Sequence, residues 1–175
     1  MRLSALRISK MRIQDALKTI DASVPNPDDG LPEEVFILIS KWTPLVNVDL
    51  LIKDNEGRTL LTWRDDTYYE PGWHIPGGII RFKETFEQRI HAVAKNELGA
   101  AVKTESLPLS INQTIHSTRR ERGHFISLLF RCTLTTPPDK RTHANKDDLR
   151  AGQWEWHNSP PKNLITVHEI YRNFI

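Results

Sequence analysis

The stretch that decides the fold is Trp73-His74-Ile75-Pro76-Gly77-Gly78, followed by Glu84 and by a segment that closes on Glu97-Leu98-Gly99. Pro76-Gly77-Gly78 breaks a strand and turns the backbone tightly, leaving main-chain carbonyls free to face a ligand or cation. Thr85 with Gln88 three residues on has the form of a capping box, so a helix starts sharply at Phe86. Gly99 ends it in the usual C-terminal glycine position. Between them Phe86, Ile90 and Val93 recur at helical spacing and define the inward face. At about 100° per residue, Glu97 returns to within roughly 20° of that face. A carboxylate is thus aimed inward from the last turn, where the helix dipole already disfavours an acid. Buried and unpaired it is costly or takes up a proton, so it calls for something positive. A hard cation shared between Glu97 and the Gly77 carbonyl satisfies both, and oxygen donors of this kind suit magnesium. The alternative is a frayed helix end with Glu97 in water, and spacing alone does not choose between them.

Outward from this stretch, the pattern is mixed. Leu3, Leu6, Met11, Ile13, Leu17 and Ile20 form a loose amphipathic pattern, and Ser23 to Gly30 is turn chemistry throughout. Residues 1–30 therefore read as an N-terminal extension and linker, and 31–175 as one domain. Pro32-Glu33-Glu34 opens a second helix, apolar almost all round through Trp42, which implies burial in the core or under a partner subunit. Val46–Lys53 and Arg58–Trp63, joined by an Asp54-Asn55-Glu56-Gly57 turn, read as a hairpin. Further strands are expected at Leu109–Ser117, His124–Leu134 and Gln153–His157, with a helix over Lys162–Phe174. The fold class is α+β, a mixed sheet sandwiched between helices.

Composition excludes several classes. A net charge of +2 offers no dense basic face for nucleic acid. The longest apolar run, Val35–Ile39, is far short of the roughly 20 residues that cross a bilayer, and no signal-peptide pattern is present, so no membrane partner and a cytoplasmic location are expected. The single cysteine, Cys132, sits in a strand pattern and reads as a reduced core residue rather than half of a bridge.

Gly78, Glu84 and the helix closing on Glu97-Leu98-Gly99 resemble the Nudix box. The sequence departs from the usual box in having Ala92-Val93 for an Arg-Glu pair and Asn96 for the first of two adjacent glutamates. The reduced form is similar to that of the GDP-mannose mannosyl hydrolases. Thr43-Pro44-Leu45-Val46-Asn47-Val48-Asp49, the Gly57 turn, Leu60-Leu61 before Arg64, and Trp73 extend the similarity from about Glu33 to the C-terminus. The resemblance implies a Nudix fold, a homodimer through the Glu33–Trp42 region, and magnesium, replaceable by manganese, on Glu97 and Gly77. It implies hydrolysis of a nucleotide sugar at the anomeric carbon, releasing GDP and sugar. A pyrophosphatase attacking phosphorus and a sugar-nucleotide-binding domain without turnover are the alternatives.

By the same resemblance Arg64 neutralises the departing diphosphate, and Asp49 lies near the sugar. Their bland alternatives are a surface arginine in a turn and an edge-strand aspartate in solvent. Gly78, Glu84 and Gly99 are structural. Ile79, Ala92 and Phe125 stand where the family has arginine, arginine and tyrosine; Arg81 and Arg89 are the candidate substitutes, and Phe125 keeps the position on the substrate side. Arg150 and Ala151 occupy the places of a family Gln-His pair that supplies a ligand and the base. His143 and Asp148 on that loop, with Asp147, and His124 at a strand start are therefore the candidate catalytic groups, each with a solvated role as the alternative. His74 faces substrate or packs on Trp73, and Arg119, Arg120 and Arg122 form a basic loop suited to phosphate.

Overall fold

The computed structural model describes the backbone of residues 2–175 and the side chains of residues 12–175. Helix α1 (Arg2–Ser23) and helix α2 (Glu33–Ser40) precede the sheets. Then come β1 (Leu45–Ile52), β2 (Thr59–Arg64), β3 (Gly72–His74), β4 (Gly77–Ile79), α3 (Phe86–Leu98), β5 (Val102–Thr104), β6 (Ser110–Ile115), β7 (His124–Leu134) and β8 (Trp154–His157). The main sheet runs β4-β1-β7-β5, with β6 also on β7, and a smaller antiparallel sheet runs β3-β2-β8. The central pair, β1 and β7, is parallel over Leu45↔Phe125 to Ile52↔Cys132, and every other pairing between these named strands is antiparallel.

Strand alternation divides β1 between two cores. Val48, Leu50 and Ile52 pack with Ile90, Val93 and Leu98 of α3. Leu51 packs with Leu61, Trp73, Ile75 and the C-terminal Tyr171. Asp49 shares the parity of Leu51 and is buried, so it stands on the face opposite α3. The α3 caps are as expected: Gln88 N–H donates to Thr85 Oγ1 at 3.2 Å, Thr85 N–H donates to Gln88 Oε1 at 2.8 Å, and Gly99 closes the helix at φ 60°. The inward face differs at its start. Phe86 is 46 % exposed and Arg89 is buried in its stead, because Arg89 Nε pairs with Glu84 Oε2 at 2.7 Å beneath the box.

Two expected elements are corrected. Residues 46–63 do not form a hairpin ladder: after the single bridge Lys53↔Thr59 the two strands enter different sheets. Both edges of β1 are taken by β4 and β7, and both edges of β2 by β3 and β8, leaving neither strand an edge for the other. The tail is not a helix over Lys162–Phe174 but a 3-10 segment, Thr166–Tyr171. Its first part is extended because Trp73 N–H donates to Asn163 O at 2.9 Å and Ile165 N–H donates to Trp73 O at 2.9 Å, docking the chain beside β3. No helix among the described residues is long and apolar enough to cross a membrane.

Candidate active site

A cleft of about 240 Å³ opens where β1, β4 and β7 meet the C-terminal segment, and Asp49, Arg64, His74, Gly77, Phe125 and His168 are in its wall. Gly77 and Gly78 allow its floor to form. A Cβ on Gly77 would stand 2.3 Å from Asp49 Oδ1, and one on Gly78 would stand 2.7 Å from Val93 Cγ2. Any side chain at these positions would push the turn off the carboxylate or off α3.

Glu97 lies beneath this turn, turned inward. Its Oε1 accepts the Gly77 N–H at 3.3 Å and its Oε2 accepts Thr62 Oγ1–H at 3.2 Å. The group of Gly77 that meets Glu97 is thus the amide, not the carbonyl expected from the turn. Burial pushes the Glu97 carboxyl up to about 7 against the Gly77 and Thr62 hydrogen bonds, which pull it down, and the charge of Asp49 adds to the rise. Asp49 is likewise pushed up to about 7 by burial, opposed by hydrogen bonds from Tyr171 and Asn47. Tyr171 Oη–H donates to Asp49 Oδ2 at 2.6 Å. Two buried acids, with the Asp49 charge felt at Glu97, call for a positive charge that a hard divalent cation would supply. No group of three or more His, Cys, Asp or Glu side chains is arranged to hold a metal among the described residues. The groups of the protein that would hold such an ion are Glu97 and the main-chain oxygen at Gly77, with water and substrate oxygens at the other positions.

All three cleft histidines, His74, His116 and His168, are shifted toward the neutral form. Burial, then the nearby Arg64 charge, lowers His74 to about 4, and burial, then His74 and Arg64, takes His168 well below its ordinary value. His168 Nδ1 accepts the Ile75 N–H at 3.0 Å, so the ring proton is on Nε2 and His168 is a donor, not a base. His74 has both nitrogens engaged, Nδ1 with Ile75 O at 2.8 Å and Nε2 with Thr62 Oγ1 at 3.0 Å.

Of the residues singled out from the sequence, Asp49, Arg64, Gly77, Gly78 and Phe125 line the cleft and Glu97 underlies it. Arg64 sits at the rim, paired with Asp66 and 4.4 Å from the centre of the Tyr69 ring. Glu84 orients the box, taking Arg89 and the Arg81 N–H at 2.9 Å on Oε2. His74 and Arg122 line it too, whereas Arg81, His143, Asp148 and His124 are not brought to the cleft. Arg81 turns away, its Nη1 donating to Asp28 O at 3.4 Å. His143 is exposed and packs edge-on against Trp154 with ring centres 4.7 Å apart. Asp148 pairs with Arg150 on an exposed loop, and His124 lies 2.9 Å from Gln113 Nε2 at the start of β7. Sequence reasoning missed Tyr171 and His168, which fall inside the expected Lys162–Phe174 helix. A His and a Tyr three residues apart in an otherwise apolar stripe were the available signal.

A mixed sheet carrying a capped helix, a glycine turn and an inward terminal glutamate defines a domain of the Nudix class. The chain belongs to this family: the NUDIX domain model matches residues 43–173. It is 32% identical over 112 residues to the Low-salt glycan biosynthesis protein Agl8 of Haloferax volcanii, covering 62% of this chain and 70% of that one. Among solved structures, a MutT NUDIX hydrolase from Burkholderia pseudomallei superposes with a TM-score of 0.61 at 21% identity, covering 76% of this chain and 98% of the other. The MutT protein of Methanosarcina mazei Go1 gives 0.54 at 14% identity, over 76% and 94%. These two likenesses concern the fold. Nudix hydrolases in general act on small-molecule substrates with a divalent cation such as magnesium.

Proposed function

We propose that the protein hydrolyses a nucleoside diphosphate sugar of the GDP-mannose type, with water attacking the anomeric carbon and the nucleoside diphosphate leaving. The observation that carries this is the sparse floor, where one buried acid beneath the glycine turn and one facing the cleft replace a multi-carboxylate cluster. Such a set suits a single magnesium or manganese ion, held by Glu97 with the main chain at Gly77. Bound there, the ion supplies charge neutralisation for the diphosphate. Arg64 exchanges Asp66 for a diphosphate oxygen at the rim, a task its planar fork matches. Asp49, half-ionised near neutral pH, takes the proton of the attacking water on Oδ1 while Tyr171 holds Oδ2. His168 Nε2–H donates to a substrate oxygen, and Phe125 packs on the sugar side. A relative named for glycan biosynthesis supports a sugar-bearing substrate.

The same proposal includes a homodimer. Val35 to Ile39 of α2 are all only half-buried and Trp42, just after it, is 75 % exposed, so among the described residues this apolar helix is incompletely covered and a second copy would complete the cover. Residues 1–30 are taken as an extension of a domain spanning 31–175. Hydrolysis of GDP-mannose in oxygen-18 water tests the chemistry. Label in the sugar is expected; label in phosphate means attack at phosphorus and overturns the reading.

A further inference from the structure

We infer that Arg119, Arg122 and His116, on the turn joining β6 to β7, form a phosphoryl-binding subsite at the mouth of the cleft, separate from the carboxylate floor. The turn is closed by His116 N–H donating to Gly123 O at 2.7 Å and Arg119 N–H donating to His116 O at 3.1 Å. Arg122 is held in the left-handed region at φ 48°, and its N–H donates to Ser40 Oγ at the end of α2 at 3.1 Å. That conformation is unfavourable for a residue with a side chain and persists only where the surroundings impose it.

The side chains are fixed by aromatic rings rather than by acids. Arg122 lies over Tyr68 at 4.1 Å, Arg119 over Tyr69 at 4.5 Å, and the same Tyr69 ring carries Arg64 at 4.4 Å. Arg119 also donates through Nη2 to Tyr68 O. Neither Arg119 nor Arg122 has a carboxylate in ion-pair range among the described residues; Arg64 alone of the three has one, Asp66. Three buried nitrogens here lack hydrogen-bond partners: Arg122 Nε, Arg119 Nη1 and His116 Nε2. Buried polar hydrogens are rarely left unmade, least of all on guanidinium. Arg122 and His116 line the cleft that Asp49 and Gly77 line. The carboxylate that acts on this cluster, Glu70, does so on Arg119 and His116 from beyond ion-pair range and spends its hydrogen bonds on Thr166. The unpaired forks still ask for an anion with several acceptor oxygens, and a tetrahedral phosphoryl group offers more of them than a carboxylate.

The ligand is thus one phosphoryl group of the substrate's diphosphate, an identification that rests on the proposed function; the binding of a phosphate oxyanion does not. Inorganic pyrophosphate and acetate, titrated calorimetrically into the full chain in EDTA at low salt, separate the two. Wild type is expected to bind pyrophosphate and not acetate. Arg119→Gln and Arg122→Gly should each weaken pyrophosphate about tenfold, while Arg131→Gln, which removes an exposed arginine paired with Glu105 away from the cleft, binds as wild type. Glycine relieves the positive φ at position 122, so its loss of affinity cannot be laid to added backbone strain, and circular dichroism checks that both variants fold. If either variant misfolds, the other decides. Equal affinity in wild type and a folded variant, or no pyrophosphate binding by wild type, overturns the subsite whatever the enzyme hydrolyses. Pyrophosphate binding with no turnover of any nucleotide sugar overturns the proposed function and leaves the subsite standing.

Discussion

Asp49→Asn tests the electrostatics of the cleft in the protein stripped of metal. Burial holds this carboxyl at about 7 in the folded chain against an ordinary value of 3.8. Below the lower value both folded and unfolded chains carry the proton, and the native state keeps its full advantage. As pH rises the unfolded chain ionises while native Asp49 does not, so stability falls, and the loss levels off above about 7. That separation corresponds to on the order of 4 kcal/mol. Asparagine still accepts the Tyr171 hydroxyl and cannot ionise, so the variant lacks this slope. Guanidinium unfolding in EDTA, followed from about pH 4.5 to about 7.5, should show wild type losing roughly 3 kcal/mol relative to Asp49→Asn. Glu97 titrates in both proteins, and because the Asp49 charge helps raise it, its own slope should lessen in the variant. Parallel curves across that range would refute the burial argument and with it the role of Asp49 as a base poised near neutrality.

Glu97→Gln should abolish the rise in melting temperature that magnesium gives wild type and lower turnover by about two orders of magnitude or more. Asp49→Asn should lose turnover but keep that magnesium shift, and a lost shift would put Asp49 among the ligands instead. Glu84→Ala strands the buried Arg89 guanidinium and should cost about 3 to 5 kcal/mol in chemical unfolding; a cost near zero would mean Arg89 is not confined. Light scattering at micromolar concentration should report a dimer for wild type and a monomer for Leu38→Glu, and a wild-type monomer removes α2 as an interface.

The box was legible because local chemistry dictates it. Thr85, Gln88 and Gly99 cap α3 through their own backbone bonds, and Glu97 faces inward by helical arithmetic that no distant contact needs to supply. Phe86 escaped that arithmetic because the Arg89–Glu84 pair takes the covered position one turn on. The hairpin expectation failed for a reason outside the turn: the turn at Asp54–Gly57 is real, with Asp54 Oδ1 accepting the Arg58 N–H at 2.9 Å, but β7 and β8, far along the chain, and the nearer β4 and β3 claim the strand edges. The site is split in the same way. Asp49, Gly77 and Arg64 were visible by position, while Tyr171 reaches Asp49 across 122 residues and only because Gly72 admits the tail beside β3.

The hydrogens around Glu97 can be counted, and the count adds to what burial of Glu97 itself does to its resting state. Ile75 O can only accept, so the His74 Nδ1 at 2.8 Å carries a proton. A neutral ring then has a bare Nε2, which needs the Thr62 hydroxyl hydrogen 3.0 Å away. Thr62 has one hydrogen, and its oxygen also lies 3.2 Å from Glu97 Oε2. With Glu97 ionised, both neighbours of Thr62 compete for that hydrogen, and the network is one short. A second ring proton would complete it, but burial holds His74 at about 4 and forbids that. A proton on Glu97 completes it by reversing the bond that the ionised form accepts from Thr62: Glu97 then donates to Thr62 while Thr62 donates to His74. Losing that proton therefore leaves a buried acceptor unmade at His74 as well as a charge at Glu97, and the two penalties act together. The acid beneath the glycine turn is thereby kept neutral until a positive charge arrives to take the proton's place, which is the behaviour expected of a cation ligand and not of a frayed helix end.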